Sequence, residues 1–525
     1  MKKILSLILT VVMLATSLLA FTACGDNNKP GSDYEINYDI DLSSKPQLKV
    51  LMPSSGRDIG AVNSDPNALL IEQLTGYKVE YTQLPAADAA KVLNTELMDK
   101  KPYDVMKLTK DQFSDLVNQD LLVDITDALA TFAPDLLANI SDESWDVVTV
   151  NGRIYGIPER ASSDNIENPI IFNYDLLLQL NLDLPETLEE FTEALRLMSE
   201  HLGKPALTFD KYTPIIPAIS AAFGIYSFWQ EYEVNGKTEV LFYMNAPRYQ
   251  DYVNYMNMLY TNGYVDLEVA TNENAVCVNR FVNGFTSKEG AKAGAFAGSI
   301  WSVPAIVTGL QSNKVISATE ASGTLDNYLG YVRALKEHAS DEEKVSRNGG
   351  YTYITAIPYY MAENAGYALD WMNSKIKDTE EEDNFRQIVL GTEGVHWNKT
   401  SEGYIPIDPA FAEKDQASYY MTGSNENKYT EYWLARVRKQ PELYRAWSEL
   451  MEDADEVGVY NVVDFTPPIE DYNSNRSSIE EYAQTQFYIM LKDGTGNIGE
   501  YLNKLNNLQG CSDATKAIND WYSKK

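Results

Sequence analysis

The sequence predicts an α/β fold, and three observations support this prediction. The 525 residues suffice for two or three domains with sizeable cores. The chain is 44% hydrophobic and 23% charged, which is ordinary for a globular protein and excludes wholesale disorder. From residue 47 onward, strand-like and helix-like segments alternate, as expected of a parallel sheet covered by helices.

The first elements of this alternation are short and clearly bounded. The predicted segments are strands over 47–52, 77–81 and 103–108, a helix from 67 that Gly76 caps, and helices over 88–98 and 112–117. Ligands in open α/β sheets bind at the carboxyl ends of strands, so the polar loop 53–58 is a candidate ligand contact. The same loop is equally compatible with a plain surface loop.

A tight hairpin is predicted at Asn151-Gly152, because both residues tolerate positive φ angles. A β-prone run follows, and Pro158 is expected to end it. A polar loop, 159–168, then leads to a second apolar run. The stretch fits one hairpin within one core, and it fits equally well a chain that crosses from one lobe to another.

Later segments continue the mixed pattern. Thr187 and Glu190 have the spacing of a capping box and predict a helix that continues to about residue 202. Strands are predicted over 293–301 and 349–358, and the last hundred residues are mostly helical in pattern. No long Pro/Gly/Ser linker follows residue 46, so the chain forms one compact unit or two interleaved lobes.

Residues 1–24 are predicted to be a lipoprotein signal peptide and lipobox. A Lys-Lys start, an apolar run and a small residue before Cys24 resemble a bacterial lipoprotein cleavage site, with Cys24 as the lipid-bearing residue. Residues 25–45 are then a flexible polar tether. The alternative is an uncleaved membrane helix, since about 18 apolar residues approach the length of a span.

Charge and cysteine content limit the partners. Because the net charge is −33 and nucleic acid requires a basic patch, nucleic acid is excluded as a partner. The negative net charge also disfavours anionic substrates in general, although a single local basic pocket is compatible with the total charge. After Cys24 only Cys277 and Cys511 remain. Two isolated cysteines are typically buried small hydrophobes, and a disulfide between them is the alternative.

Sequence signals for catalysis are weak. The three histidines, His201, His338 and His396, lie far apart and lack metal-ligand spacing, and there is no GxSxG motif. Residues 494–499 match GxGxxG, but too few residues follow for a nucleotide-binding βαβ unit, so a helix-start loop is predicted. The chain is therefore predicted to be no enzyme and to need no cofactor.

Six segments occur in an order typical of one family. They are the lipobox at Cys24 and residues 74–79, 119–127, 151–158, 185–191 and 391–397. Each is weak alone, but together they are specific. The chain resembles the extracellular solute-binding proteins of bacterial carbohydrate ABC transporters, and it is similar in particular to the large Gram-positive lipoprotein type and the alginate-binding proteins.

The resemblance implies a type 2 periplasmic-binding-protein fold with two interleaved lobes, the second rich in helices. The chain is expected to cross between lobes after Pro158 and again near 351–358. The implied lobes are 46–157 plus 355–415 for the first, and 158–354 plus 416–525 for the second. The ligand would lie in the cleft and favour closure about the hinge.

One departure from the family concerns calcium. The alginate-binding relatives carry a calcium loop after the helix that matches 187–202. Residues 203–210 of this chain offer one carboxylate, Asp210, whereas calcium needs six or more oxygen ligands. No calcium is therefore predicted at this place.

Aromatic residues are the strongest candidates for ligand contacts. A sugar has a flat C–H face that stacks on a ring and a rim of hydroxyls that needs hydrogen bonds. The resemblance places Trp301 and Trp397 toward the cleft, although each aromatic alone also fits a core position. Arg57 is a candidate for a bidentate polar contact. The predicted ligand contacts are Trp301, Trp397, Trp229, Tyr351, Tyr353, Arg57 and Ser55.

The predicted function is that of a receptor on the extracellular face of the cell membrane. It would be a lipid-anchored monomer that captures an oligosaccharide and delivers it to the transmembrane subunits of an ABC permease. Three alternatives remain open: a receptor of the same fold for peptides or other solutes, a surface enzyme that degrades glycans, and a surface adhesin.

Overall fold

A computed structural model describes residues 34–54, 59–85, 87–160, 165–287 and 289–525. Three predicted functional residues, Cys24, Ser55 and Arg57, lie outside these ranges. In chain order the strands are β1 Leu48–Met52, β2 Val79–Gln83, β3 Val105–Leu108, β4 Thr149–Val150, β5 Arg153–Ile154, β6 Ile157–Arg160, β7 Ile170–Asn173, β8 Leu207–Phe209, β9 Trp229–Val234, β10 Lys237–Phe242, β11 Ala295–Ala297, β12 Leu329–Val332, β13 Val345–Arg347, β14 Tyr351–Ala356, β15 Trp397–Thr400, β16 Gly403–Pro406 and β17 Gly458–Tyr460.

Helices surround these strands. The α-helices are Ile59–Asn63, Pro66–Thr75, Ala89–Met98, Lys110–Asn118, Thr126–Phe132, Pro134–Asn139, Asp142–Val147, Tyr174–Gln179, Leu188–Leu202, Pro217–Ser220, Tyr249–Thr261, Asn274–Gly284, Val303–Ser312, Ala318–Ala321, Ala365–Ile376, Asn384–Val389, Glu426–Arg438, Pro441–Leu450, Ala454–Val457, Glu470–Asp493, Ile498–Leu508 and Cys511–Tyr522. Within the described residues no helix is both long enough and apolar enough to cross a bilayer.

The first sheet has the strand order β2-β1-β3-β14-β6. Strands β1, β2 and β3 are parallel, and helices connect them, which confirms the predicted alternation. Gly76 has φ 77° and caps the helix Pro66–Thr75, as the sequence predicts. Strand β14 runs antiparallel between β3 and β6, so a late segment of the chain completes a sheet that begins near the N-terminus.

The Asn-Gly hairpin is confirmed. Asn151 has φ 54° and Gly152 has φ 76°, and the two residues join β4 to β5. The prediction that Pro158 ends the following strand is wrong, because Pro158 lies within β6 and pairs with Ile354 of β14. Strand β6 is at the edge of its sheet, and edge strands tolerate a proline because one side has no partner.

The second sheet has the order β12-β7-β11-β8, and apolar residues cover both of its faces. Along β7, Ile170 and Phe172 enter one hydrophobic cluster and Ile171 enters another. Successive side chains of a strand point to opposite faces, so a strand between two cores reads as a continuous apolar run. The run that the sequence shows at 169–172 therefore marks a central strand of a second lobe.

The hydrophobic cores define the two lobes. The core of the first lobe surrounds the first sheet and takes residues between Leu48 and Ile157 and between Ile354 and Ala435. The two cores of the second lobe draw on residues between Ile166 and Val345 and between Val437 and Ile518. The chain therefore crosses between lobes three times, the last time within the helix Glu426–Arg438.

The described part of the predicted tether, residues 34–45, packs against the first lobe. Ile36, Ile40 and Leu42 contact the core of that lobe, and Lys45 forms an ion pair of 2.5 Å with Asp370. The prediction of a flexible tether is therefore wrong for these residues, because their apolar side chains are partly buried.

Two further predictions concern local features of the second lobe. Thr187 and Glu190 form the predicted capping box at the start of Leu188–Leu202. Cys277 and Cys511 are both buried free thiols, so the alternative of a disulfide between them is wrong. They contribute as small apolar side chains.

A buried ion pair joins β3 to β6 at one edge of the first sheet. Lys107 Nζ lies 2.8 Å from Glu159 Oε2, and the two side chains are 0% and 7% exposed. The same ammonium donates to the carbonyl oxygens of Ser418, Tyr419 and Met421 at 3.1, 3.2 and 2.9 Å. Burial lowers the pKa of Lys107 and raises the pKa of Glu159, so each charge depends on the other.

The Glu159→Gln variant is expected to lose about 3–5 kcal/mol of unfolding free energy, because it leaves the Lys107 ammonium buried without its counter-charge. Urea denaturation at neutral pH measures the loss. Glu363→Gln, at an exposed position, is the control and should change stability by less than about 0.5 kcal/mol. Equal stability of the two variants would contradict a structural role of the pair.

Candidate functional site

Each sheet presents one edge at which several strands end. In the first sheet, the carboxyl ends of β1, β2, β3 and β6 share an edge with the amino end of β14. In the second sheet, the carboxyl ends of β8, β11 and β12 share an edge with the amino end of β7. Ligands of open α/β sheets bind at such edges, so the cleft beside them is the candidate site.

A cavity of about 440 Å³ lies at the edge of the second sheet. Asp210, which follows β8, and Ser299, which follows β11, line it. Lys110 of the first lobe donates to the carbonyl oxygens of Val463 and Asp464 at 2.8 and 3.3 Å, and Asp464 also lines the cavity. The cavity therefore lies beside a contact between the lobes. The other lining residues are Asn168, Tyr212, Thr213, Pro214, Ile215, Ile216, Pro217, Tyr226, Ser227, Phe228, Asn274, Ala297, Gly298, Ser346, Arg347, Asn348, Asn461 and Arg476.

Three aromatic side chains line this cavity. Tyr212 is 63% exposed, and Tyr226 and Phe228 are half-buried. The sequence-based site omits all three and includes their neighbour Trp229. Tyr212 stands three residues after the end of β8, and Tyr226 stands three residues before the start of β9. Neither strand is predicted from the sequence, so no sequence pattern marks these residues as strand-end positions.

The loop that carries Tyr226 and Phe228 is held by hydrogen bonds. The backbone N–H of Tyr226 donates to Gln230 Oε1 at 2.7 Å, and Gln230 Nε2 donates to the carbonyl of Gly224 at 2.9 Å. The ring of Phe228 lies 5.5 Å, centroid to centroid, from the ring of Tyr243. Both cavity-facing aromatics therefore stand on a fixed loop, which reduces the entropy that a ligand must remove on binding.

Polar side chains of the segments 346–348 and 461–464 complete the wall. Asn461 Oδ1 accepts from the backbone N–H of Trp229 at 3.0 Å, and Asn461 Nδ2 donates to Asp464 Oδ1 at 2.8 Å. The Arg347 guanidinium lies 5.2 Å from the ring centroid of Tyr460. These contacts hold an amide, a carboxylate and a guanidinium at fixed positions around the cavity.

Trp301 lies at the rim of this site. Its side chain is 38% exposed, and its indole N–H donates to Glu167, which also accepts from Asn348 of the cavity wall. The Trp301 ring lies 5.5 Å, centroid to centroid, from Trp433 on the helix that crosses between the lobes. The predicted role of Trp301 in ligand contact remains a prediction, and its exposure is compatible with it.

The structure places two predicted aromatic contacts in cores. Trp397 is 4% exposed, donates through its indole N–H to the Gly391 carbonyl at 3.0 Å, and packs against Tyr404. Trp229 is 1% exposed and packs against Phe242. Neither ring face is open to a ligand in this structure, which corrects the prediction that these two residues stack on it.

Tyr351 and Tyr353 lie at the start of β14, on the cleft edge of the first sheet. Both are half-buried. Tyr351 donates through its hydroxyl to Ser144 Oγ at 3.0 Å, and the Tyr353 ring centroid lies 4.7 Å from Lys107 Nζ. The Tyr351 ring also packs against Phe465, with 6.1 Å between the ring centroids. Contact of either tyrosine with a ligand remains a prediction.

Among the described residues, no group of three or more His, Cys, Asp or Glu side chains is arranged to hold a metal ion. Residues 207–209, in the stretch where the alginate-binding relatives are expected to carry calcium, form β8 instead. The side chains that line the cavity offer aromatic stacking and hydrogen bonding.

Two ionisable groups at the contact between the lobes have shifted pKa values. Burial raises the pKa of Asp464 to about 6, although Lys110 and Arg476 nearby oppose this shift. Burial lowers the pKa of Lys110 to about 8. The charged forms of both groups are thus disfavoured by the folded state.

The Asp464→Asn variant is expected to gain stability relative to the wild type as the pH rises. A carboxyl group with a raised pKa contributes stability below about pH 4 that is lost as the pH passes about 6. The variant has no carboxyl group at this position and does not lose this stability. Denaturant unfolding should therefore show that the free energy of unfolding of the variant, relative to that of the wild type, increases from pH 4 to pH 7. Asp146→Asn, at an exposed position, is the control, and parallel pH profiles for all three proteins would refute the raised pKa.

Comparisons with known proteins agree with this architecture. Residues 67–373 match the family described as bacterial extracellular solute-binding protein. The chain is similar to the polygalacturonan/rhamnogalacturonan-binding protein YtcQ of Bacillus subtilis, with 25% identity over 345 residues, which cover 63% of each chain. The alignment thus spans less than two thirds of that relative.

Two solved structures share the fold. An HMO binding ABC-transporter associated solute-binding protein of Bifidobacterium longum infantis superimposes with a TM-score of 0.64 at 16% identity, over 91% of this chain and 98% of that one. The alginate-binding protein AlgQ2 gives a TM-score of 0.62 at 15% identity, over 91% and 98%. These likenesses confirm the predicted two-lobed fold and the resemblance to alginate-binding proteins. Because the family match covers more than half of its residues, the chain belongs to the bacterial extracellular solute-binding protein family.

Proposed function

We propose that this chain is a lipid-anchored receptor on the extracellular face of the cell membrane. It captures an oligosaccharide in the cleft between its lobes, as a monomer, and delivers it to an ABC permease. The observation that carries this proposal is the cavity at the ends of β8 and β11, where exposed aromatic rings stand beside fixed polar groups.

The chemistry of the cavity suits a sugar. Tyr212, Tyr226 and Phe228 offer apolar ring faces to the C–H face of a sugar ring. Asn274 and Asn348 offer side-chain amides, each with donors and an acceptor, which matches hydroxyl groups that also donate and accept. The names of the relatives, which refer to pectin-derived, alginate and milk glycans, support the same class of ligand.

A binding role is favoured over glycan hydrolysis. A glycosidase needs two carboxyl groups on opposite sides of the scissile bond. Of the two carboxylates in the cavity wall, Asp210 accepts from the backbone N–H of Tyr212 at 2.9 Å, and Asp464 accepts from Asn461. Both carboxylates are thus engaged in holding the loops that carry the wall.

Anchoring follows from the predicted lipobox and the packing of the N-terminal segment. Residues 34–45 lie on the first lobe, so the segment between Cys24 and Tyr34 joins the proposed anchor to that lobe. Fully extended, that segment reaches about 35 Å. The first lobe of the anchored receptor would then stay close to the membrane that holds the permease.

The Tyr226→Ala variant is expected to bind oligosaccharide at least about tenfold more weakly, because it removes a stacking surface worth about 1.4 kcal/mol or more. Isothermal titration against pectic, alginate and milk oligosaccharides measures the change. Tyr260→Ala is the matched control, since Tyr260 is equally half-buried but does not line the cavity.

Two outcomes would overturn the sugar assignment. Binding of peptides in the absence of any oligosaccharide binding would favour a peptide receptor of the same fold. Release of reducing ends from polysaccharide at enzyme-like rates would favour a glycan-degrading enzyme.

The Cys24→Ser variant is expected to move from the membrane fraction to the soluble fraction, because two acyl chains hold the mature protein on the bilayer. Detergent phase partition with metabolic fatty-acid labelling detects the change. Cys277→Ser, which alters a buried thiol, should keep both the label and the membrane association. Labelled protein after Cys24→Ser would contradict Cys24 as the lipid-bearing residue.

A further inference from the structure

A second cavity lies next to the first and is not part of the site described above. It has a volume of about 600 Å³ and runs along the helix Glu470–Asp493 of the second lobe. Its wall includes Glu481, Gln484, Tyr488 and Lys492 from that helix. Tyr212 lines both cavities, so its ring stands at their boundary.

The loop that carries Tyr212 is fixed on both sides. Asp210 Oδ1 accepts from the backbone N–H of Tyr212 and from Thr213 Oγ1, both at 2.9 Å. The helix holds the loop from the other side, because Tyr488 donates through its hydroxyl to the Asp210 carbonyl at 3.0 Å and Gln484 donates to the Lys211 carbonyl. The backbone is therefore rigid at a point where the side chain is 63% exposed.

A neighbouring lysine also supports the orientation of the Tyr212 ring. Lys211 Nζ lies 4.9 Å from the ring centroid and forms an ion pair of 2.5 Å with Glu273. A cation over one face leaves the other face free for stacking. A large ring that is exposed on a rigid loop between two cavities is a preorganised contact surface rather than a core residue.

The second cavity, like the first, offers both apolar contacts and hydrogen-bonding groups. Ile489 is 37% exposed and gives an apolar patch beside the Tyr212 ring. Glu481, Gln484 and Lys492 supply charged and neutral hydrogen-bonding groups along one face of the helix. This mixture suits consecutive sugar units, which present a ring face and a hydroxyl rim at each step.

We propose that the oligosaccharide site continues past Tyr212 into this second cavity. The receptor then holds a linear oligosaccharide that is longer than the first cavity accommodates, with one end lying over the helix Glu470–Asp493. This inference rests on the proposed function. It adds that the ligand is an extended chain and that Tyr212 stacks on a central unit.

Titration with size-fractionated ladders of oligogalacturonides and of alginate oligosaccharides, and with a matching ladder of milk oligosaccharides, from disaccharide to octasaccharide, tests this extension on the full chain in detergent. Wild-type affinity should rise by at least tenfold between the shortest and the longest oligosaccharides of the ladder that binds. Ile489→Asp alters only the second cavity and should remove this rise without changing affinity for the shortest ligand. Tyr212→Ala should weaken the longest ligands most.

Tyr226→Ala is the matched control, because it lines only the first cavity and should weaken short and long ligands by the same factor. Unchanged melting temperatures show that the variants fold. If short ligands bind as tightly as long ones, the extension is refuted while the receptor assignment stands. If no member of any ladder binds, the receptor assignment and the extension are refuted together.

Discussion

The buried ammonium of Lys107 is the contact on which the cleft edge of the first lobe depends. It joins β3 to β6 through Glu159, and it holds the segment 418–421 through three carbonyl oxygens. A charge in such a position is stable only when every proton has a partner, so the three segments must be correctly placed at the same time. The pair thus ties early and late parts of the chain to one place.

The held segment leads directly to the candidate ligand-binding edge. Tyr419 donates through its hydroxyl to the Pro53 carbonyl at 2.8 Å, at the carboxyl end of β1, and it accepts from Gln83 at the end of β2. A late 3-10 helix, Ala410–Tyr420, therefore braces the ends of two early strands. Since ligand contacts at strand ends need fixed positions, this bracing supports the function as well as the stability of the lobe.

Hydrogen bonds between distant segments also hold the wall of the second lobe. Asn461 joins the first residue of β9 to the segment around Asp464, and Lys110 reaches that segment from the first lobe. Many of the tyrosines lie in cores rather than at the site, among them Tyr243, Tyr249 and Tyr252. Tyrosine thus contributes to the aromatic core of this lobe as well as to the cavity wall.

The sequence alone determined the features that depend on neighbouring residues. The alternation of strands and helices, the Asn151-Gly152 turn, the Gly76 cap and the Thr187 capping box were all predictable, because each depends on local dihedral preferences and local hydrogen bonds. The family and the two-lobed architecture were predictable from the order of six weak motifs.

Only the tertiary structure decided which aromatic side chains face the cleft. Trp229 and Trp397 are predicted ligand contacts but are buried, whereas Tyr212, Tyr226 and Phe228 line the cavity. Exposure of a ring is set by packing between elements that are distant in the chain, such as the contact of the helix Glu470–Asp493 with the loop that carries Tyr212. No local sequence pattern indicates that contact. A sequence therefore predicts the type of residue that a site needs, but it does not predict which residues of that type the fold exposes.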